Sequence, residues 1–133
     1  MINTKIINIV LNSKYNQLSN NYIFESTRKN KTCGDIINIR ISGTKKRIMT
    51  YEAKSCFFTK ASAEILSKNI SKYDFQKLNE LKKDIRLFFE KKDFKITKNL
   101  KPFEIILSKK NKVRKDCILL PILATLEALN DSR

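Results

Sequence analysis

The stretch that decides the fold spans residues 37–53 and reads INIRISGTKKRIMTYEA. Every second residue from Ile37 to Ile41 is an isoleucine, and the residues between them are polar, which is the pattern of a strand with one buried face. A polar turn sequence follows at residues 43–46, and the β-branched and aromatic residues at 47–53 favour another strand. The stretch therefore predicts two antiparallel strands joined by a tight turn.

The remaining chain adds one strand and a set of helices. Residues 22–27 have the composition of a short strand, which completes a three-stranded antiparallel sheet. Apolar residues at helical spacing predict helices at residues 4–15, 59–67, 71–92 and 119–129. The predicted fold class is α+β, with a small three-stranded antiparallel sheet and helices packed on it, in a single domain at residues 1–133.

Local signals refine the helical half of the chain. Residues 71–74 resemble an amino-terminal capping pattern for the third helix. Pro102 marks a break, after which residues 102–107 form a loop or a short apolar strand. Pro121 is expected in the first turn of the last helix, because a proline in a helix interior removes a hydrogen bond.

Charge and composition limit the classes of function. The 133 residues carry 28 Lys and Arg against 13 Asp and Glu, a formal net charge of +15, and include no histidine. Ser-His-Asp catalysis, Cys-His catalysis and histidine-containing metal sites are therefore excluded. The charge suggests an anionic partner, but Lys outnumbers Arg, whereas nucleic-acid recognition favours the planar Arg side chain. A basic nucleic-acid or ribosome-binding module with structural cysteines remains the alternative from a different class, and nucleic acid is not the expected partner.

No segment has the properties of a membrane span or a signal peptide. The longest apolar run covers residues 118–123, is interrupted by Pro121 and is far shorter than the roughly 20 residues that a spanning helix needs. Residues 1–10 lack a long hydrophobic region and a small-residue cleavage site. We therefore expect a cytoplasmic protein that has no membrane partner.

The three cysteines are Cys33, Cys56 and Cys117, an odd number that argues against a disulfide scaffold. Free cysteines are often simply buried, as small hydrophobic residues. These three have more specific settings, because Cys33 precedes Gly34 and Asp35 in the turn before the main strand, and the other two each precede a predicted helix. A helix amino terminus lowers the pKa of a thiol and favours the thiolate.

If these three places converge in the fold, three thiolates and the Asp35 carboxylate supply four ligands for a tetrahedral centre. Such a donor set suits Zn²⁺ or one half of an iron–sulfur cluster, because thiolates select these metals. Gly34 would let the backbone turn tightly beside the ligands. The oxygen ligand would make the centre more labile than one with four cysteines, as suits a centre whose contents are handed on.

Three strings of residues carry a resemblance to a known family. They are TCGD at residues 32–35 before the alternating strand, KSCFFTKASA at residues 54–63, and Cys117 followed by Leu120, Pro121 and an apolar helix. In these features the chain, from about residue 15 to residue 129, resembles the iron–sulfur cluster assembly family of IscU, SufU and the NifU N-terminal domain. The resemblance implies the same α+β fold.

Two departures make the chain more similar to the SufU type. IscU-type proteins carry a histidine directly before the third cysteine, where this chain has Asp116, and a shorter segment than the 60 residues between Cys56 and Cys117. The added length corresponds to a helical insertion at about residues 71–101. Resemblance to the SufU type implies that Zn²⁺ is bound by Cys33, Asp35, Cys56 and Cys117.

The same resemblance implies a role in sulfur transfer. A cysteine desulfurase of the SufS or NifS kind would deliver persulfide sulfur to Cys33, and apo iron–sulfur proteins would be the recipients. The alternative within the family is a scaffold that transiently holds a [2Fe–2S] cluster on the same residues. Either role makes the chain an acceptor or carrier rather than a conventional enzyme.

Two charged residues near the third cysteine, and one helix, have open roles. Arg114 matches a basic position of the family, where it would steady a thiolate, a persulfide or a partner; otherwise it is one more cation of the basic stretch at residues 109–115. Asp116 is either an outer ligand or a solvent-facing acid that offsets Lys115. The helix at residues 71–92 either contacts a partner or covers the core, and we expect it to cover the core.

Overall fold

The computed structural model describes residues 4–130. The strands in this range are β1 (Phe24–Lys29), β2 (Ile36–Ser42) and β3 (Ile48–Lys54). The α-helices are α1 (Thr4–Leu11), α2 (Phe57–Asn69), α3 (Phe75–Glu90) and α4 (Lys115–Asn130). Short 3₁₀ helices lie at Ile70–Lys72, Lys101–Ile106 and Lys109–Arg114. The predicted α+β class is confirmed, although α1 ends at Leu11 rather than at residue 15 and β1 begins at Phe24 rather than at residue 22.

The strands form one antiparallel sheet in the order β1-β2-β3. Ile39 pairs with Ser26 of β1 and with Tyr51 of β3, and all three side chains are buried. The opposite face carries Arg40, which pairs with Glu25 at 2.7 Å. The alternation of the sequence thus separates a core face from an outer face.

Helix α4 forms the centre of the helical layer. It packs against β1 and β2 of the sheet and against helices α2 and α3, while α1 packs against α2. Most of its side chains are buried, as expected for a helix that has neighbours on several sides. None of the helices within residues 4–130 is long and apolar enough to cross a membrane.

Helix α3 begins at Phe75 rather than at residue 71, and its cap is the last residue of the predicted capping pattern. Asp74 caps this helix, since its carboxylate accepts a hydrogen bond from the Lys77 N–H at 2.8 Å, whereas Ser71 lies in a 3₁₀ turn. The apolar face of α3 is buried and the helix packs against α4, so it covers the core. The buried face consists of Leu78, Leu81, Ile85, Phe88 and Phe89.

The segment that follows Pro102 is neither a loop nor a strand. Lys101–Ile106 forms a 3₁₀ helix with the proline near its start, where the missing N–H is tolerated. With three residues per turn, Phe103 and Ile106 lie on the same side, and both are fully buried. The apolar side chains of this 3₁₀ helix therefore pack into the core, and the segment does not add a strand to the sheet.

The position predicted for Pro121 is also wrong. Helix α4 begins at Lys115, which places Pro121 in its interior. The proline offers no N–H to the Cys117 carbonyl, four residues earlier. The hydroxyl of Thr59 in α2 donates to that carbonyl oxygen at 3.0 Å. The Cys117 carbonyl therefore has a tertiary donor within reach where the helical donor is missing.

Candidate metal centre

The loop between β1 and β2 carries two of the four predicted ligands. The Asn30 N–H donates to the Asp35 carbonyl at 2.7 Å, and the Gly34 N–H donates to the Asn30 carbonyl at 2.8 Å. Gly34 has a φ of +77°, which residues with a Cβ rarely adopt. The tight turn leaves Cys33 exposed and Asp35 buried, with 8% of its surface accessible.

Asp35 is tied to the start of α2. Cys56 is the N-cap residue of this helix and makes no capping hydrogen bond through its own side chain. The Asp35 Oδ2 atom instead accepts from the Thr59 hydroxyl at 3.1 Å and from the Cys56 N–H at 3.5 Å. A carboxylate is favoured there by the unpaired N–H groups and the helix dipole. Asp35 therefore links the loop between β1 and β2 to the start of α2.

The first turn of α4 supplies the third segment of the site. Cys117 is the third residue of this helix and is buried, so the prediction that it precedes the helix is wrong. The Sγ atoms of Cys33 and Cys117 and a carboxylate oxygen of Asp35 all lie within 4.8 Å of one another. Cys56 lies beside the Cys117 thiol, and all three cysteines are free. The fold thus brings three of the four predicted ligands into one group, and Cys56 lies outside that group, next to Cys117.

Burial raises the pKa of the Cys117 thiol to about 12, and the neighbouring Cys56 thiol is the next cause. Cys33 and Asp35 act in the same direction. The expected lowering of the pKa by the helix terminus is therefore wrong for Cys117 in the metal-free protein, because desolvation and the neighbouring side chains outweigh the helix dipole. A cation among the four side chains would reverse this balance. Three sulfurs and one oxygen are donors that Zn²⁺ and iron accept.

Arg114 and Asp116 lie outside the group of ligand atoms. Arg114 ends the 3₁₀ helix before α4, and its exposed side chain makes no hydrogen bond or ion pair with any residue from 4 to 130. Asp116 is exposed to solvent as well. Lys115, which Asp116 was expected to offset, pairs with Glu90 of α3 at 4.0 Å. The role predicted for Arg114 stays a prediction.

Part of the basic stretch at residues 109–115 is engaged within the protein. Lys109 donates to carbonyl oxygens at the end of α3, including that of Phe88, and its Nζ lies 4.3 Å from the centroid of the Phe88 ring. Lys115 pairs with Glu90, also at the end of α3. Cations are favoured at the carboxyl end of a helix. These two lysines therefore have a structural use that needs no nucleic acid.

Sequence reasoning misses two buried hydroxyl groups that support the site. Thr59 donates to the Cys117 carbonyl, and Ser62, one turn later in α2, donates to the Ile118 carbonyl at 2.7 Å. The signal in the sequence is Pro121, because a proline four residues after Cys117 leaves a carbonyl that needs a donor from elsewhere. The sequence does not indicate which residue supplies that donor.

Comparisons with known proteins find similarity in the fold of the chain and not in its sequence. No protein-family model matches the chain, and no curated protein matches it. Among solved structures, the N-terminal part of a nitrogen-fixing NifU-like protein from Brucella abortus is similar, with a TM-score of 0.77 and 17% sequence identity over 96% of this chain and 91% of that one.

A second similar structure comes from Fervidobacterium islandicum AW-1 and is described as an iron–sulfur cluster assembly scaffold protein for the SUF system. Its TM-score is 0.76, with 20% identity over 96% of both chains. A protein described as hypothetical has a TM-score of 0.77 and 17% identity, over 97% of this chain and 99% of that one. These likenesses establish the fold of the chain.

Proposed function

We propose that this chain is an iron–sulfur cluster assembly protein of the IscU, SufU and NifU type that accepts persulfide sulfur from a cysteine desulfurase. The observation that carries the proposal is the meeting of cysteine and aspartate side chains from the β1–β2 loop, the start of α2 and the first turn of α4. The fold shared with a NifU-like domain and a SUF-system protein supports it. The site residues are Cys33, Asp35, Cys56 and Cys117.

The donor atoms fit Zn²⁺. Zn–S bonds of about 2.3 Å place the sulfurs of a tetrahedral site about 3.8 Å apart. The donor atoms of Cys33, Asp35 and Cys117 lie within 4.8 Å of one another, so a small closure suffices. Cys56, beside Cys117, is the fourth ligand. A bound Zn²⁺ would keep the thiols deprotonated and hold the three chain segments together.

Cys33 is the sulfur acceptor in this proposal, because it is the exposed thiol of the site. Its thiolate attacks the outer sulfur of the desulfurase persulfide. A new S–S bond forms on Cys33 while the S–S bond of the donor breaks, and the electron pair leaves with the donor's cysteine as a thiolate. The step is an exchange that consumes no external oxidant or reductant.

The loop that carries Cys33 has room to move during this exchange. A Cβ on Gly34 would meet no atom within 4 Å, so the outer side of the loop is open. Cys56 and Cys117 are fixed at the starts of two helices that pack against each other. We expect Cys33 to leave the ligand group for the reaction while these two remain in place.

A scaffold that transiently holds a [2Fe–2S] cluster is the second candidate. The exposure of Cys33 favours it, because a cluster needs more room than a single ion. In both versions a SufS- or NifS-like desulfurase is the sulfur donor, apo iron–sulfur proteins are the recipients and the cytoplasm is the location. Arg114, exposed just before α4, is available to contact either partner.

Metal content tests the proposal most directly. Protein purified anaerobically is expected to contain about one Zn²⁺ per chain, to lose it in Cys33→Ser and to bind it more weakly in Asp35→Ala. Iron with acid-labile sulfide would favour the scaffold instead. The absence of any metal, even after reconstitution with Zn²⁺ or with iron and sulfide, would contradict both versions and return attention to nucleic acid.

Mass spectrometry tests the sulfur-transfer step. Incubation with a cysteine desulfurase and L-cysteine is expected to add one sulfur atom to the peptide that contains Cys33. The addition should be lost on treatment with dithiothreitol and should be absent in Cys33→Ser. Sulfur found instead on Cys56 or Cys117 would contradict the assignment of the acceptor.

A further inference from the structure

The hydroxyl group of Thr59 lies where the three segments of the site meet. Its Oγ1 is 3.1 Å from Oδ2 of Asp35, 3.0 Å from the carbonyl oxygen of Cys117 and 3.8 Å from Sγ of Cys56. The residue has no exposed surface. One buried side chain thus contacts a ligand residue from the hairpin, one at the start of its own helix and one in α4.

This hydroxyl has a single proton and two oxygen acceptors. The Cys117 carbonyl cannot obtain a helical hydrogen bond, because the residue four positions later is Pro121. The Asp35 carboxylate has one further donor, the Cys56 N–H at 3.5 Å. When Thr59 donates to one oxygen, the other loses its better donor. The two acceptors therefore compete for the same proton.

We propose that Thr59 is a positioning residue that holds the Asp35 carboxylate in place as a ligand and turns its proton to the Cys117 carbonyl when Asp35 leaves. The inference rests on the proposed function, because it assigns Asp35 to the metal site. With Oδ2 held by Thr59, the other carboxylate oxygen is free for the metal. When Asp35 moves out, the buried hydroxyl of Thr59 still has an acceptor in the Cys117 carbonyl, so release does not leave this hydroxyl unpaired.

Two substitutions at Thr59 test the first half of this proposal. Thr59→Val keeps the shape of the side chain and removes its hydroxyl, and we expect it to weaken Zn²⁺ binding by about 10- to 100-fold, the range for residues that orient metal ligands. Thr59→Ser keeps the hydroxyl and is expected to bind Zn²⁺ nearly as tightly as wild type. The affinity is measured by competition with a chromophoric chelator at fixed pH.

Ser62 offers a matched control in the same interface. Its hydroxyl also joins α2 to a carbonyl of α4, that of Ile118, and is equally buried, but it makes no hydrogen bond to Asp35. Ser62→Ala should therefore lower the unfolding temperature of the metal-free protein without changing its affinity for Zn²⁺. An equal loss of affinity in Ser62→Ala and Thr59→Val would mean that the interface alone matters, and would overturn the proposal.

The role of Asp35 is isolated by repeating Thr59→Val in an Asp35→Ala background. If Thr59 acts through Asp35, the second substitution should leave the already weakened Zn²⁺ affinity unchanged. It should still lower the unfolding temperature of the metal-free protein, because the hydroxyl then serves the Cys117 carbonyl. A further loss of affinity would contradict action through Asp35, and an unchanged unfolding temperature would contradict the exchange of acceptors.

The results also separate this inference from the proposed function. Wild-type protein that binds neither Zn²⁺ nor a cluster overturns both. If wild type binds Zn²⁺ and Thr59→Val binds it equally tightly, only the role of Thr59 is overturned. Replacement of Zn²⁺ by Co²⁺ gives an independent reading, since loss of the oxygen ligand should shift the visible absorption bands of Thr59→Val and leave those of Thr59→Ser and Ser62→Ala unchanged.

Discussion

The two sides of the candidate site differ in how firmly they are held. Cys33 lies on the exposed loop between β1 and β2, directly before the turn at Gly34. Cys117 lies in the first turn of a buried helix, against the start of α2. The first thiol is suited to meeting a partner and the second to holding a metal. The same group of candidate ligands thus combines an exposed thiol on a loop with a thiol buried in a helix.

Thiol reactivity should show this difference most strongly. In the reduced, metal-free protein at pH 8, we expect iodoacetamide to modify Cys117 on the order of 1000-fold more slowly than Cys33, because burial blocks access and a pKa of about 12 leaves little thiolate. Peptide mass spectrometry over a time course gives both rates. Similar rates would show that the α4 side of the site opens readily, and would contradict the difference between the exposed Cys33 and the buried Cys117.

Metal binding should depend on pH because of the same thiol. In the metal-free protein the raised pKa of Cys117 keeps it protonated near pH 7, so binding as a thiolate must displace that proton. The affinity for Zn²⁺ should therefore fall at least about tenfold for each pH unit lowered between pH 8 and pH 6. Chelator competition at several pH values measures the slope. A flat profile would mean that Cys117 is not a ligand.

The stability of the loop between β1 and β2 should depend on its backbone conformation at Gly34 rather than on side-chain packing. Gly34→Ala puts a Cβ on a residue with a φ of +77° but meets no neighbouring atom, so we expect a loss of about 1–2 kcal/mol in the free energy of unfolding. Gly43→Ala, in the next turn, should cost more, because its Cβ would collide with the Lys46 carbonyl. Urea denaturation compares the two variants, and the reverse order would contradict this assignment.

The interface between α2 and α4 should lose stability when one of its hydroxyl groups is removed. Ser62→Ala breaks the hydrogen bond to the Ile118 carbonyl, and we expect a loss of about 1 kcal/mol in the free energy of unfolding of the metal-free protein. Urea denaturation at neutral pH provides the measurement. No change within about 0.3 kcal/mol would indicate that water or Thr59 replaces the bond.

The smallest effect is expected at Cys33. Because its side chain is exposed, Cys33→Ala should change the free energy of unfolding of the metal-free protein by no more than about 0.5 kcal/mol. The same urea titration serves here. A loss as large as that of Ser62→Ala would show that the hairpin loop is packed more firmly than its exposure indicates.

The regular elements were predictable because their signals are local. The alternating isoleucines of β2 and the apolar face of α3 have the periods of a strand and a helix, and both are buried as expected. The four candidate ligand residues were proposed from a family resemblance and from their places beside turns and helix starts. Cys56 does lie at the start of α2, and Gly34 does form the tight turn.

The errors fall where a distant residue decides the outcome. Pro121 was expected in the first turn of the last helix, but α4 begins at Lys115, and the Thr59 hydroxyl is a donor for the Cys117 carbonyl that the proline leaves without a helical one. The pKa of Cys117 rises instead of falling, because packing and neighbouring side chains, which periodicity does not describe, outweigh the helix dipole.

The α+β class, the order of the strands and main helices, and the kinds of donor atoms available for a metal all follow from the amino-acid sequence. These depend on residue type and on periods of two and 3.6 residues, which act over short distances along the chain. Only the tertiary structure decided that Asp35 is held by α2, that Thr59 has two acceptors and that Cys117 is buried beside Cys56. Desolvation and the pairing of buried polar groups depend on which segments meet, and that is settled when the chain folds.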